Sequence, residues 1–312
     1  MEEAGGARLA LVDASADRKW MEKVEEAAKE GKKLYVHECG SWHGSEADSR
    51  TVAWIAACFA AIAHQQPRAE LVPLLPEAGW CVEKIAERKD LVEICEFEED
   101  EEHVRETSSE LRKIRERRGQ PALRTVPMPS VSKGDATPRT SILDADASNA
   151  EGCSFDYVAV GGTFDRMHAG HRVLLAVAAV CCTTELYVGI TSDGLLVNKE
   201  DKEMIRPYDS REATVREYLK NVNPSLIVTT GALSDPKEPT AASIVENMQA
   251  LVVSEETVVG GHAINEDRKR RGFSPLKLIV IKLLFGKTRE KLSSTALRQE
   301  DKSATRFIGQ TS

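Results

Sequence analysis

A short apolar run that ends in two glycines and leads into a His-x-Gly-His sequence constrains the fold more than any other feature. Residues 156–171 read Asp-Tyr-Val-Ala-Val-Gly-Gly-Thr-Phe-Asp-Arg-Met-His-Ala-Gly-His. This order predicts a buried β-strand, a tight turn and an α-helix that begins at the histidines. A helix N-terminus offers unpaired N–H groups and partial positive charge, and glycine lets the backbone approach a ligand closely. The segment therefore predicts a phosphate-binding site.

The same alternation of strand and helix continues to the end of the chain. Strands are predicted at residues 156–161, 186–191, 226–230, 250–254 and 276–284. Helices are predicted at residues 169–182, 209–221, 240–248 and 262–271, with another starting near Ser293. Apolar strands that alternate with helices indicate an α/β fold, a doubly wound parallel sheet covered on both faces. Ligands of such sheets bind beyond the carboxyl ends of the strands, where the glycines and histidines lie.

Residues 1–118 predict a smaller N-terminal α/β unit of unknown role. Strands are expected near residues 8–12, 33–37 and 71–75, and helices near 14–30, 49–64 and 82–89. Residues 93–118 are first acidic and then basic, which favours one solvated helix with internal charge pairs. The unit contains no recognisable phosphate loop, metal-ligand set or catalytic triad. We interpret His37 and Trp42-His43-Gly44 as structural.

Residues 119–153 differ in composition from the segments on either side. Prolines and serines are frequent and bulky apolar residues are few, so we predict a flexible linker. The predicted domain of residues 154–312 follows it.

Charge and cysteine usage limit the class of protein. The net charge of −8 is carried by residues 1–150, with 21 basic and 29 acidic residues, so general attraction to nucleic acid is not expected. The seven cysteines form no CxxC pair, which argues against a disulfide framework or a zinc site. No apolar run reaches the ~18 residues of a membrane helix, and no secretory or mitochondrial leader is evident. We expect a cytoplasmic protein whose acidic N-terminal unit contacts a partner or a second copy.

A second polar motif follows the last predicted strand. Ser293, Ser294 and Thr295 precede a helix, and Arg298 lies about one turn further along the chain. Hydroxyl groups at a helix start are common caps, but together with the free N–H groups they also suit phosphate. An arginine at this distance can reach the same anion.

The two motifs together resemble those of the nucleotidyltransferase superfamily with the [HT]-x-G-H signature. Leu292-Ser-Ser-Thr-Ala-Leu-Arg298 is similar to its second signature, I-S-S-T-x-x-R, with leucine in place of isoleucine. Further segments resemble the phosphopantetheine adenylyltransferase family of eukaryotic and archaeal type, over residues 155–302. They are Tyr187-Val-Gly-Ile-Thr-Ser-Asp193, Lys199, Ile205-Arg-Pro-Tyr208, Arg211, Asp235-Pro-Lys-Glu-Pro-Thr240, Val252-Val-Ser-Glu-Glu-Thr257, Gly260-Gly261 and Ile264-Asn265.

The resemblance implies a Rossmann-like fold and transfer of an adenylyl group from ATP to 4′-phosphopantetheine, in coenzyme A biosynthesis. Mg²⁺ would bridge the phosphates, and the protein itself would hold no metal. Thr163 would touch the phosphates being joined, His171 the α-phosphate and His168 the β- or γ-phosphate, and Lys199, or else Lys202, the acceptor phosphate. The implied nucleotide contacts are Gly161, Gly162, Thr163, Phe164, His168, His171, Ser293, Ser294, Thr295 and Arg298.

Several alternatives remain open at this stage. The acceptor could be a pyridine mononucleotide, the nucleotide could carry cytidine, or the domain could be an inactive nucleotide-binding scaffold. Asp165 either stabilises the turn or contacts a ligand. Phosphate contact and a surface position are both open for Arg206, Arg211 and Arg268.

Two other interpretations are disfavoured. Zinc binding by the histidines would need Cys181 or Cys182, which lie about three turns further along the same predicted helix. Gly286-Lys-Thr288 lacks the upstream glycine of a phosphate loop because residue 281 is isoleucine, and only 24 residues follow Thr288. We therefore expect a monofunctional enzyme without a fused dephospho-CoA kinase.

Overall fold

The computed structural model describes most of the chain, and its contacts divide the chain into two units. The described residues are 6–14, 19–40, 47–63, 65–129, 152–199, 201–282, 294–295, 297–299 and 301–302. One unit contains Met1–Ser154 and Asn221–Ser225, and the other contains Phe155–Lys220 and Leu226–Ser312. None of the described helices combines the length and apolar character needed to cross a bilayer.

The N-terminal unit is built around one parallel sheet. Its strands are β1 (Ala7–Val12), β2 (Leu34–Glu38), β3 (Leu71–Leu74), β4 (Leu91–Phe97) and β5 (Arg124–Met128). Its helices are α1 (Lys19–Ala28), α2 (Ser49–Ala63), α3 (Val82–Ala86) and α4 (Glu102–Arg117). The strands pair in the order β3-β2-β1-β4-β5. Every residue of β1, β2 and β3 is buried, as expected for a sheet covered on both faces.

The prediction of a single helix over residues 93–118 was wrong. Residues 91–97 form β4, next to β1 in the sheet, and the helix α4 begins only at Glu102. Glu93 and Glu96 interrupt the apolar pattern of the strand, which made it look solvated. Glu93 is nevertheless buried, because Arg8 and Lys32 donate to its carboxylate at 2.9 and 2.8 Å and Arg124 pairs with it too.

The predicted start of the linker at residue 119 was also too early. β5 covers Arg124–Met128 and extends the N-terminal sheet by pairing with β4. It is an edge strand and largely exposed, and it contains Pro127, which is tolerated where one side of the strand needs no ladder hydrogen bond. Residues 130–151, the main part of the predicted linker, lie outside the described residues.

The C-terminal unit contains a second parallel sheet and carries both candidate motifs. Its strands are β6 (Phe155–Gly162), β7 (Cys182–Thr191), β8 (Ile227–Leu233), β9 (Ala250–Ser254) and β10 (Lys277–Ile281). Its helices are α5 (Ala169–Val180), α6 (Tyr208–Val222), α7 (Ala241–Ile244) and α8 (Val258–Arg270). The sheet order is β10-β9-β6-β7-β8, which confirms the predicted doubly wound parallel sheet.

Both sheets follow the same winding rule. In each, the first strand lies at the centre, the next two follow on one side, and the last two lie on the other. The order therefore reverses between β1 and β4 in one unit and between β6 and β9 in the other. Crevices at the carboxyl ends of strands next to such a reversal are the usual ligand sites of open α/β sheets. The turn after β6 is at this position.

One helix is much shorter than its prediction. Residues 240–248 were expected to be helical, but α7 ends at Ile244. The buried guanidinium of Arg268 accounts for the early end, because it donates to carbonyl groups that a longer helix would use internally. Its acceptors are the carbonyl oxygens of Ala242, Val245, Glu246, Met248 and Ser274.

Candidate active site

The turn after β6 is held by a phenylalanine in an unusual backbone conformation. Phe164 has a φ of 49° and is 1% exposed. Its ring lies against Gly162, where an added Cβ would be 3.0 Å from the ring carbon Cζ. Glycine at 162 is therefore required by this packing. Phe164 supports the turn and the ring of His171, whose centroid is 5.4 Å away, and its contact with nucleotide stays a prediction.

Gly161 has a different environment from Gly162. It is exposed, and a Cβ there would make only ordinary contacts, the nearest being the carbonyl oxygen of Gly189 at 3.6 Å. The packing of the protein itself therefore does not require glycine at 161. The missing side chain leaves the strand end open to a molecule that approaches from outside.

The two signature histidines meet at the start of α5. The N-cap of the helix is His168, which is buried and whose Nδ1 accepts a hydrogen bond from the Gly170 amide at 3.1 Å. A Cβ on Gly170 would be 3.0 Å from that ring, so glycine between the histidines makes room for the cap. The imidazoles of His168 and His171 stack with centroids 4.0 Å apart.

The hydrogen bonds assign opposite tautomers to the neutral rings. In His168, Nδ1 is an acceptor, so the proton of the neutral ring is on Nε2. In His171, Nδ1 lies 3.2 Å from the carbonyl oxygen of Arg166, which can only accept, so that nitrogen carries the proton. Burial lowers the pKa of His171 to about 4, and the nearby charges of Arg172 and Lys199 act in the same direction.

Lys199 reaches the turn from the loop that follows β7. Its Nζ donates to Thr163 Oγ1 at 3.3 Å, and that hydroxyl is 3.5 Å from Thr191 Oγ1. Partial burial and the charge of Arg298 lower the pKa of Lys199. Lys202, the alternative acceptor ligand, is exposed on a short 3₁₀ turn, Lys202–Met204. The structure thus brings Thr163, Lys199 and the histidines together at one strand end.

Asp165 joins the two motifs. Its buried carboxylate accepts from Arg298 Nη1 at 3.0 Å, from Arg166 at 3.1 Å and from the Arg206 amide at 3.1 Å. Arg298 is 2% exposed and also donates to Thr295 Oγ1 at 2.9 Å. The structure thus places Arg298 on Asp165 and Thr295, and its direct contact with phosphate stays a prediction. The one sequence signal for this pairing was a lone carboxylate within a motif otherwise rich in cations and donors.

The other candidate residues differ in their exposure. Ser294 and Thr295 are helical and half-buried, whereas Ser293 lies outside the described residues. Arg206 is exposed, and Arg211 and Arg268 are fully buried with their guanidinium groups on carbonyl oxygens. The described residues contain no group of three or more His, Cys, Asp or Glu side chains that could hold a metal ion.

The C-terminal unit is similar in sequence to known proteins. The family described as Cytidylyltransferase-like matches residues 159–300. Three similar proteins bear the name phosphopantetheine adenylyltransferase. The one from Saccharomyces cerevisiae is 42% identical over 154 residues, which are 48% of this chain and 50% of that protein. The one from Thermococcus gammatolerans is 37% identical over 144 residues, 45% of this chain and 86% of that protein.

The third relative extends the same pattern. The protein from Methanopyrus kandleri is 38% identical over 146 residues, 47% of this chain and 90% of that protein. The chain therefore covers most of each archaeal relative but only half the length of the yeast one.

Proposed function

The chain belongs to the phosphopantetheine adenylyltransferase family of the cytidylyltransferase-like nucleotidyltransferases, and we propose that it transfers the adenylyl group of ATP to 4′-phosphopantetheine. The products are dephospho-CoA and pyrophosphate, so the reaction belongs to coenzyme A biosynthesis. The observation that carries the proposal is the contact between Lys199 and Thr163 beside the stacked histidines. It supplies a cation and a hydroxyl for an acceptor phosphate next to groups suited to a triphosphate.

The reaction needs charge neutralisation and alignment more than proton removal. The acceptor phosphate is ionised at neutral pH, and one of its oxygens attacks the α-phosphorus of ATP. The bond from that phosphorus to the β-phosphate oxygen breaks, and pyrophosphate leaves with the bonding electrons. Negative charge develops on the leaving pyrophosphate, so positioned cations and donors give the main acceleration.

The geometry supports a division of roles among the candidates. Lys199 and Thr163 hold the acceptor phosphate, and His171 contacts the α-phosphate through Nε2. His168 and the second motif hold the β- and γ-phosphates, and the helical Ser294 and Thr295 of that motif offer hydroxyl groups to them. Arg298 acts by holding Thr295 against the turn, through its bonds to Thr295 and Asp165.

Mg²⁺ is expected to arrive with ATP rather than to reside in the protein. The groups at the described strand end are hydroxyls, imidazoles and cations, while Mg²⁺ prefers oxygen ligands such as carboxylates and phosphates. The buried carboxylate there, Asp165, is engaged by Arg298 and Arg166. When bound, the ion would neutralise charge on the phosphates.

An acceptor panel tests the proposed activity. Pyrophosphate release is measured with ATP plus 4′-phosphopantetheine, ATP plus nicotinamide mononucleotide, and CTP plus phosphocholine. We expect release in the first reaction, with dephospho-CoA identified by mass. Release only in another reaction would reassign the substrate, and ATP binding without release in any would favour a scaffold.

A matched lysine pair tests the assignment of the acceptor ligand. We expect Lys199→Met to lower kcat/KM for 4′-phosphopantetheine by about 10²–10³-fold, the usual cost of a lost transition-state donor. Lys202→Met, a change of the same chemistry in the same loop, should stay within about threefold. The reverse order would move the acceptor phosphate to Lys202.

A further inference from the structure

The loop that presents Lys199 is long, and its described residues contain two short 3₁₀ helices, Asp193–Leu196 and Lys202–Met204. It joins β7, which ends at Thr191, to α6, which begins at Tyr208. Lys199 itself is only partly buried. A lysine on such a loop loses conformational entropy whenever it is held on an acceptor, unless the protein already holds the loop. Contacts that hold the ends of this loop therefore help to orient the lysine.

Arg211 on α6 binds both ends of this loop and the turn after β6. The residue is 1% exposed. Its Nε donates to the Arg206 carbonyl oxygen at 2.9 Å, and its Nη1 donates to that of Thr163 at 2.6 Å. Its Nη2 donates to the Thr191 carbonyl oxygen at 2.8 Å and to Asp193 Oδ1 at 2.7 Å. One guanidinium therefore holds the start of the loop, its end and the catalytic turn at once.

We propose that Arg211 is a positioning residue for adenylyl transfer, a proposal that rests on the proposed function. It does not face the phosphates, because its guanidinium is enclosed by protein acceptors. It sets the distance between Lys199 and Thr163, since it bonds the Thr163 carbonyl oxygen and both ends of the loop that carries Lys199. The expected consequence of disturbing it is poor use of the acceptor with little change in the binding of ATP.

Only an arginine can make this arrangement. A guanidinium carries five N–H donors in a rigid plane and keeps its charge, whereas the ammonium of lysine is a compact group with three donors. Lysine at 211 would keep the positive charge near Asp193 but could not bridge four acceptors spread over three segments. Arg211→Lys therefore removes the bridging geometry and little else.

The chain contains a matched control. Arg268 is 0% exposed and, like Arg211, donates its guanidinium protons to backbone carbonyl oxygens. Its acceptors lie on α7, on the segment after it and after α8, and include none of the candidate site residues. Arg268→Lys thus tests the general cost of losing a buried arginine fork in the same unit.

The test compares Arg211→Lys, Arg268→Lys and the wild type as full-length proteins. We expect Arg211→Lys to lower kcat/KM for 4′-phosphopantetheine by about 10²-fold, the scale of a misplaced reacting group, with Kd for ATP within about threefold. Arg268→Lys should lower Tm but keep kcat/KM within about threefold. Amide hydrogen exchange in residues 192–206 should rise in Arg211→Lys and stay at the wild-type rate in Arg268→Lys.

A second variant distinguishes a positioning role from a loss of folding. The Asp193 side chain is 59% exposed and also accepts from the Tyr208 amide at 3.1 Å, so Asp193→Ala should lower Tm only slightly while removing one of the four acceptors of Arg211. We expect KM for the acceptor to rise about tenfold, the worth of one charge-assisted hydrogen bond.

The outcomes separate this proposal from the proposed function. Equal losses in Arg211→Lys and Arg268→Lys, or unchanged exchange of the loop in Arg211→Lys, would overturn the positioning role. If the wild type used another acceptor, the same comparison would be made with that acceptor. If it turned over none, the hydrogen-exchange comparison would still decide whether Arg211 holds the loop.

Discussion

Two imidazoles in contact, His168 and His171, carry opposite tautomers because each ring has a different backbone partner. The Gly170 amide can only donate, and the Arg166 carbonyl can only accept. Neutral His168 therefore has a proton on Nε2, whereas neutral His171 has a lone pair there. A phosphate oxygen at Nε2 of His171 needs a proton on that nitrogen. We therefore expect nucleotide binding at this residue to be coupled to protonation.

This coupling predicts that ATP binding takes up protons. The pKa of His171 is about 4 without ligand, so the ring is neutral at pH 7.5, and a nearby phosphate raises that pKa. We expect uptake of up to about one proton and a fall in affinity as pH rises, since the form that binds gains a proton. Calorimetry in buffers of different ionisation enthalpy measures the number. The same number in His171→Gln, which lacks the titrating ring, would exclude His171 as the acceptor of the proton.

At the scale of elements, strand β4 shows how a buried charge conceals a strand. Its sequence, Leu-Val-Glu-Ile-Cys-Glu-Phe, has two acidic residues. Hydropathy alone therefore groups the strand from Glu93 onward with the solvated helix that follows it. The tertiary structure brings Arg8 from β1, Lys32 and Arg124 from β5 to the carboxylate of Glu93. Those cations come from three other parts of the chain, so no local pattern around residue 93 could have revealed them.

Replacing Glu93 should destabilise the N-terminal unit in a pH-dependent way. Desolvation opposes ionisation, but hydrogen bonds from Lys32 and Arg8 lower the pKa of Glu93 to about 2. A lowered pKa in the folded state stabilises above the unfolded value of 4.5, and this contribution is lost as pH falls toward 2. We expect Glu93→Gln to cost about 3 kcal/mol at pH 7, because it leaves Arg8 buried without its full counter-charge. The difference from wild type should shrink below pH 4.5.

Tryptophan fluorescence during urea unfolding measures this effect selectively. The four tryptophans, at positions 20, 42, 54 and 80, all lie in the N-terminal half. Glu96→Gln is the control on the same strand, since Glu96 is half-exposed and pairs with Arg112, and it should cost less than about 1 kcal/mol. Equal costs for the two variants would contradict a special role for burial at Glu93.

At the scale of the whole molecule, two sheets have the same strand order, and the two candidate motifs belong to one of them. The winding gives each unit a crevice at the carboxyl ends of its strands, but the side chains decide what can be done there. Both candidate motifs belong to the C-terminal unit. The archaeal relatives consist almost entirely of the part that matches this unit.

This organisation predicts that residues 151–312 fold and act without the N-terminal unit. We expect the truncated protein to keep kcat/KM within about threefold of the full chain, because every assigned phosphate contact lies within it. The same pyrophosphate assay, with circular dichroism to verify folding, checks the prediction. Loss of turnover in a folded truncation would mean that residues before 151 complete the site.

The sequence by itself determined the doubly wound C-terminal sheet and the position of the turn that is predicted to bind phosphate. These features depend on local properties, namely the periodicity of strands and helices, the glycines and the start of a helix. Such properties can be recognised from a few neighbouring residues. Only the tertiary structure decided which distant groups meet: Asp165 with Arg298, 133 residues apart, and Arg211 with Thr163, 48 residues apart. It also decided that Arg268 supports α7 and that Glu93 is buried beside β1. These contacts depend on which strands become neighbours, and that follows from packing of the whole chain rather than from any single segment.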